Sequence, residues 1–221
     1  MRGEAVRSFT LMFLRMWNID ERRDDYAKYL IPACTVPAAR GFVLPFGDSP
    51  LDDERVGEML YLDMLNRAER YVHIMTPYLI LDNEMITALT FAAKRGVDVS
   101  IILPHIPDKK YAFALARNHY RELLEAGVHI LEYTPGFVHA KVFVSDDVKA
   151  VVGTINLDYR SLYLHFECGA YLYDTPAVSA VEKDFRKTAR QCQSIRLEDL
   201  RKISLLSRAA GWLLKVFAPL M

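Results

Sequence analysis

The stretch that decides the fold is His139-Ala-Lys-Val-Phe-Val-Ser-Asp146, followed after residues 147–152 by Gly153-Thr-Ile-Asn-Leu-Asp-Tyr-Arg-Ser161. Val142, Phe143, Val144, Val151 and Val152 are β-branched or aromatic, and no helical period runs through them. Strands are therefore predicted here, with a tight antiparallel return after Asp146-Asp147. Successive side chains on a strand alternate faces, so His139 and Lys141 project from the same side, one pleat repeat apart. An imidazole and a cation thus stand together at a strand end. The glycine-initiated loop brings Thr154 and Asn156 back toward them.

Outward from this hairpin, strands alternate with helices. Strands are predicted at Gly41–Phe46, Tyr71–Met75, Val97–Leu103, Val128–Tyr133 and Cys168–Tyr173, the last being the final clear strand. Helical periods cover about Leu51–Glu69, Asn83–Arg95, Tyr111–Ala126 and Ala177–Arg190, and resume from about Leu197; Gly96 and Gly127 close the second and third of these. This alternation predicts an α/β layered domain, with a mixed, mostly parallel sheet flanked by helices. Ahead of it, Glu4–Asn18 reads as an amphipathic helix with Val6, Phe9, Met12, Phe13, Met16 and Trp17 on one face. Three parts are expected: residues 1–40 as helix and linker, 41–195 as the layered domain, and 196–221 as a tail.

The tail carries its own signal. Arg201, Ser204, Arg208, Gly211 and Lys215 form a narrow polar stripe beside Leu205, Leu206, Ala209, Trp212, Leu213, Val216, Phe217 and Leu220. A basic stripe next to a wide apolar face with a tryptophan suits a helix lying in a membrane surface, and equally a helix docked on its own domain or on a partner subunit.

Composition narrows the classes. Hydrophobic residues make up 52% of the 221 residues and charged ones 25%, which is globular rather than disordered. The 28 basic and 28 acidic residues cancel, and a chain without basic excess is a poor candidate for nucleic-acid binding. Cys34, Cys168 and Cys192 are scattered without metal-ligand spacing, so free thiols are expected. No run of 18 apolar residues suggests a transmembrane helix, and no signal peptide is read at the start.

The cluster around His139 suits phosphodiester displacement. Such a reaction needs a nucleophile that works near neutral pH and donors for the non-bridging oxygens. A neutral imidazole, titrating near ~6.5, can form the covalent intermediate. Lys141 supplies a compact charge, while Asn156 and Thr154 supply neutral donors. Asp146 lies an odd number of residues after Lys141 and points to the opposite face of an unbroken strand. It is therefore expected to be structural, holding the turn or an arginine. Asp158 and Arg160 are expected to fix the shape of the following loop.

His139-x-Lys141-x-x-x-x-Asp146 with Gly153-Thr-x-Asn156 resembles the signature of the phospholipase D superfamily. The run from Phe137 to Asp174, with Asn156-Leu-Asp-Tyr-Arg-Ser161 and His165-Phe-Glu167, is most similar to the second catalytic half of bacterial cardiolipin synthases. The resemblance implies His139 as nucleophile in a phosphohistidine mechanism, with Lys141, Asn156 and Thr154 on the phosphoryl oxygens. Glu167 is the candidate for the carboxylate that orients His139, its alternative being a partner for Arg160. His165 is a candidate substrate contact or simply loop lining, and Tyr78 a candidate for the mouth of the pocket. Neither metal nor cofactor is implied. The substrate implied is phosphatidylglycerol, used at the bacterial cytoplasmic (inner) membrane by a peripheral protein.

The superfamily mechanism uses two His-x-Lys motifs, and this chain has one. A homodimer or a separate half would have to supply the other. The amino-terminal helix resembles the end of a first half, so the chain reads as a half whose companion is missing. Other readings stay open: a phosphodiesterase or nuclease on the same scaffold, or an inactive single-motif fragment or subunit.

Overall fold

The computed structural model describes residues 3–21, 25–30 and 39–200. Eight strands form a single sheet: β1 (Phe42–Asp48), β2 (Tyr71–Met75), β3 (Asp98–Pro104), β4 (His129–Tyr133), β5 (Val142–Ser145), β6 (Lys149–Gly153), β7 (Glu167–Tyr173) and β8 (Cys192–Ile195). Their order is β1-β7-β6-β5-β2-β3-β4-β8. The helices are α1 (Ala5–Glu21), α2 (Val56–Arg67), α3 (Asn83–Lys94), α4 (Lys110–Ala126), α5 (Pro176–Ala189) and the short α6 (Leu197–Leu200). The chain is thus a mixed α/β layered fold.

The parallel character is smaller than expected. Only β2 with β3 and β3 with β4 pair in parallel, the two cases where a helix carries the chain back across the sheet. The other five ladders are antiparallel. The hairpin β5–β6 is present as expected, with Asp146 and Asp147 in the left-handed region at φ 56 and 60. It inserts beside β2 rather than beside β4, which reverses the local direction. β8, absent from the sequence-based reading, closes the far edge on β4.

Alternation of buried side chains assigns the two faces. Val72, Ile74, Val99, Ile101, Ile130, Phe143 and Val151 pack under α2, α3 and α4 in the main core. Tyr61 of α2 lies flat on Phe143, ring centroids 3.9 Å apart and planes within 6°. On the opposite face Val144, Ala150 and Leu172 meet Val178 of α5, and Phe9 of α1 joins them. His73 pegs α5 to β2: its Nδ1 is 2.9 Å from Glu182 Oε2, and its ring lies between Tyr71 and Phe185. His105 is likewise engaged, 2.7 Å from the buried Glu132.

Gly127 ends α4 in the left-handed conformation at φ 99, as its position after Ala126 predicts. Asp82 caps α3 by accepting from Met85 N at 2.7 Å. The amino-terminal helix forms as predicted, but its apolar face is not fully covered. Phe9 is partly buried, whereas Val6, Phe13, Met16 and Trp17 stay exposed beside the exposed Phe42, Val43 and Leu44 of β1. Among the described residues no helix is long and apolar enough to cross a membrane. Cys168 and Cys192 are free thiols. Cys34 and the basic–apolar stripe of 201–221 lie outside the described residues, as does much of the expected 20–40 linker.

Candidate active site

The site gathers where β2, β5, β6 and β7 end. Pairing of β2 with β5 sets Met75 opposite Val142, so the residues just before Val142 lie beside the continuation of β2 at Thr76–Tyr78. β5 itself begins at Val142, which leaves His139 and Lys141 in the segment entering it rather than inside the ladder. Gly153 N donates to Lys141 O at 3.3 Å and ties that segment to the end of β6.

Gly153 must be glycine for steric reasons. A Cβ there would stand 2.5 Å from Cys168 O and 2.8 Å from Gly169 Cα, both backbone atoms of β7. That close approach carries the chain into the loop bearing Asn156. Three contacts then fix the loop: Tyr61 OH donates to Ile155 O at 3.1 Å, Leu157 N donates to Thr76 Oγ1 at 3.2 Å, and Ile80 N donates to Leu157 O at 2.8 Å.

His139 and Lys141 do stand together. Lys141 Nζ lies 3.0 Å from Nδ1 and 3.1 Å from Nε2 of the imidazole, and donates to His139 O at 2.9 Å. Partial burial, reinforced by the Lys141 charge, holds the His139 pKa below its ordinary value, while Asp108 pulls the other way. Burial also lowers the Lys141 pKa, opposed by the charges of Glu167 and Asp158. At His139 both causes, burial and the Lys141 charge, favour the neutral imidazole, the form that keeps a nitrogen lone pair.

Asn156 Nδ2 donates to Ser161 Oγ at 2.9 Å, and its Oδ1 is buried without a hydrogen-bond partner. Thr154 is placed differently from the expectation. Its hydroxyl donates to Cys168 O and accepts from Cys168 N, at 3.2 and 3.0 Å. That hydroxyl clasps β6 to β7, so its proton is already engaged away from a phosphate.

Glu167 opens β7 with its side chain 8% exposed, and its carboxylate lies 3.9 Å from His165 Nδ1. No hydrogen bond joins it to His139; its charge bears on Lys141 instead. Arg160 donates to His165 Nε2 at 3.1 Å, so His165 stands between Arg160 and Glu167. The carboxylate whose charge reaches His139 is Asp108, on the β3–α4 loop, which sequence reasoning did not single out. It accepts from Tyr78 OH at 2.6 Å. Tyr78, Asp108 and Phe137 line one narrow cleft with Pro104, Pro107 and Phe113. Phe137 stacks against His139, centroids 5.7 Å apart, so this cleft adjoins the imidazole.

Asp146 is structural. Its carboxylate accepts from the backbone N–H groups of Glu69, Arg70 and Tyr71 at 2.9, 2.9 and 3.0 Å, which locks the hairpin turn to the start of β2. Asp158 likewise accepts from Ser161 N at 2.8 Å and holds the π-helical turn Arg160–Leu164. No group of three or more His, Cys, Asp or Glu suited to a metal ion occurs among the described residues.

This arrangement, a His–Lys pair at the end of a mixed sheet with an asparagine loop beside it, is that of a phospholipase D-like domain. Residues 61–189 match the family described as "Cardiolipin synthase, PLD-like domain", and the chain belongs to that family. It is 37% identical to a cardiolipin synthase of Halalkalibacterium halodurans over all of this chain and 44% of that protein. A Streptococcus mutans protein without an assigned function is 54% identical over all of this chain and 48% of its own length. The chain thus spans about half the length of the curated relatives it matches. The fold is shared with phosphatidylserine synthase of Haemophilus influenzae (TM-score 0.66, 20% identity, 92% of this chain and 51% of that one). It is also shared with the phospholipase D family member Nuc of Salmonella typhimurium (TM-score 0.59, 20% identity, 70% and 98%).

Proposed function

We propose that this chain is one catalytic half of a cardiolipin-synthase-type phosphatidyltransferase acting on phosphatidylglycerol. The observation that carries the reading is the pairing of Lys141 Nζ with the His139 ring, within 3.1 Å of both nitrogens, at the mouth of a partly apolar cleft. The neutral imidazole attacks phosphorus, a P–N bond forms, and the P–O bond to the glycerol headgroup breaks. The departing oxygen takes its proton from the histidine of a second motif, and glycerol leaves. The hydroxyl of a second phosphatidylglycerol then gives its proton to that same base and attacks phosphorus, and the P–N bond breaks. Lys141 and Asn156 hold the phosphoryl oxygens while charge shifts onto them. Glu167 and Asp158 keep Lys141 charged within its partly buried setting.

A second His-x-Lys strand comes from another copy of this chain or from a separate half, since this chain has one such motif. The basic–apolar stripe of 201–221 supports attachment to an anionic membrane surface from one side. The test is lipid analysis after incubating the full chain with phosphatidylglycerol vesicles, beside His139→Ala. Cardiolipin and free glycerol from the wild type alone support the reading. If neither cardiolipin nor phosphatidic acid forms while the protein is demonstrably dimeric, the reading fails. Hydrolysis of DNA in place of lipid would move the chain to a nuclease.

A further inference from the structure

Asn156 is held in a way that phosphate binding alone does not account for. One end of its amide is engaged, Nδ2 donating to Ser161 Oγ at 2.9 Å, while Oδ1 is buried with no partner. Native structures seldom carry a buried amide oxygen unmatched without a reason. Ser161, by contrast, is fixed on every side. It is 1% exposed, its N–H is capped by Asp158 Oδ1 at 2.8 Å, and it lies in the π-helical turn Arg160–Leu164. Single π-helical turns are frequent at functional sites.

A serine hydroxyl both donates and accepts. The same Ser161 Oγ therefore accepts from Nδ2 as described, or donates to Oδ1 once the amide turns over. In the second orientation the amide nitrogen, with two N–H groups, takes the position of the unmatched oxygen. On the proposed phosphate role of Asn156, a bound oxyanion favours that orientation, because it is met by donors and not by an oxygen.

We infer that Ser161 is a positioning residue that sets the orientation of the Asn156 amide: locked by Asp158, its hydroxyl switches from acceptor to donor when a phosphoryl group binds. The inference rests on the proposed phosphate role of Asn156. Both partners of Ser161 converge on the site, since Asp158 also acts on the Lys141 charge. The class of ligand is any tetrahedral or trigonal-bipyramidal oxyanion that His139 can engage.

The experiment is a binding cycle with orthovanadate, read by calorimetry on the full chain, and it needs no turnover. Wild type, Asn156→Ala, Ser161→Ala and the double variant are compared. Loss of one hydrogen-bonding partner is expected to weaken vanadate about tenfold in each single variant. The double variant is expected to bind no more weakly than Asn156→Ala, because Ser161 acts only through Asn156. A general loosening of the turn would instead add to the asparagine loss, so additive effects overturn the inference, as does an unchanged affinity in Ser161→Ala. No loss in Asn156→Ala, or no vanadate binding by the wild type, overturns the inference together with the phosphate role of Asn156. A failed lipid assay with the coupling intact would sink only the lipid substrate.

Discussion

Lys141 Nζ sits almost equidistant from the two nitrogens of His139, at 3.0 Å from Nδ1 and 3.1 Å from Nε2. In-plane approach at those distances would drive the ammonium into the carbon between them, so the cation lies to one side of the ring. It cannot claim either lone pair fully. The pair is therefore poised around a common point, where an anionic oxygen could bind the ammonium while phosphorus meets the imidazole.

From this geometry the titration of His139 follows. Its pKa is lowered first by burial and second by the Lys141 charge, so the protonation that would remove the proposed nucleophile is centred below the ordinary histidine range. The acid limb of kcat/KM is expected there, and NMR titration of the ring should agree. Lys141→Met removes the second cause and not the first, so the ring pKa rises part of the way back. Activity should fall about 10²- to 10³-fold, the usual cost of one lost oxyanion donor. An unchanged ring pKa in Lys141→Met would disprove the electrostatic link.

Asp146→Asn tests the structural role of that carboxylate. Asparagine tolerates the left-handed backbone at φ 56, so the substitution spares the turn while it removes the charge and one of the two acceptor oxygens. Three backbone N–H groups lose an ionised acceptor, and a stability loss of about 2 kcal/mol is expected from denaturant melts at pH 7. The folded pKa of Asp146 is lowered. Its contribution is present above the unfolded value of about 3.9 and lost as pH falls through the folded value. The gap between wild type and variant should therefore close in that acid window.

Gly153→Ala tests the approach of β6 to β7. Its Cβ would meet backbone atoms at 2.5 and 2.8 Å, and backbone cannot step aside as a side chain can. A loss of about 2 kcal/mol or more is expected. Catalysis should fall further than stability alone explains, because the loop leading to Asn156 starts there. Wild-type stability in this variant would show that the two strands part easily.

Tyr163→Phe tests a buried acidic pair. The Tyr163 hydroxyl serves both Glu58, at 2.6 Å, and Asp82. Burial already raises the Glu58 pKa, with the Tyr163 hydrogen bond opposing. Removing the hydroxyl should cost roughly 1–3 kcal/mol at pH 7. Only the ionised carboxylate loses the hydroxyl's full support, so the cost grows as pH rises through the folded pKa of Glu58, which burial holds above its ordinary value and which the substitution raises further. Thermal melts between pH 4 and 8 would show the variant converging on wild type at the acid end.

Much of this was legible in the residues, and what was not has physical causes. Strand β2 and helix α4 announce themselves because β-branched runs and glycine caps are local signals. Parity set Asp146 apart from Lys141 on the assumption of an unbroken strand, whereas β5 ends at Ser145 and Asp146 lies in the left-handed turn after it. Strand direction did not follow, because the period-2 signal of β5 says nothing of its neighbour; the chain's return to β2, past β4, is a tertiary choice. Thr154 looked like a phosphate donor in one dimension, yet its hydroxyl bridges β6 and β7, a contact visible only once Cys168 is placed across from it. Glu167 was expected at His139 and lies nearer His165 and Lys141, while Asp108, thirty residues upstream of Val138, had no pattern to mark it.

The outer strand β1 has a consequence for anyone handling this protein. Its outward row of amide and carbonyl groups is unpaired among the described residues, and Phe42, Val43 and Leu44 are 67%, 39% and 51% exposed along it. A bare, greasy sheet margin invites strands from other molecules to add on. Pro45, lacking an N–H, interrupts such growth midway along the strand. Replacing Pro45 with valine is expected to raise self-association at high concentration, read by light scattering.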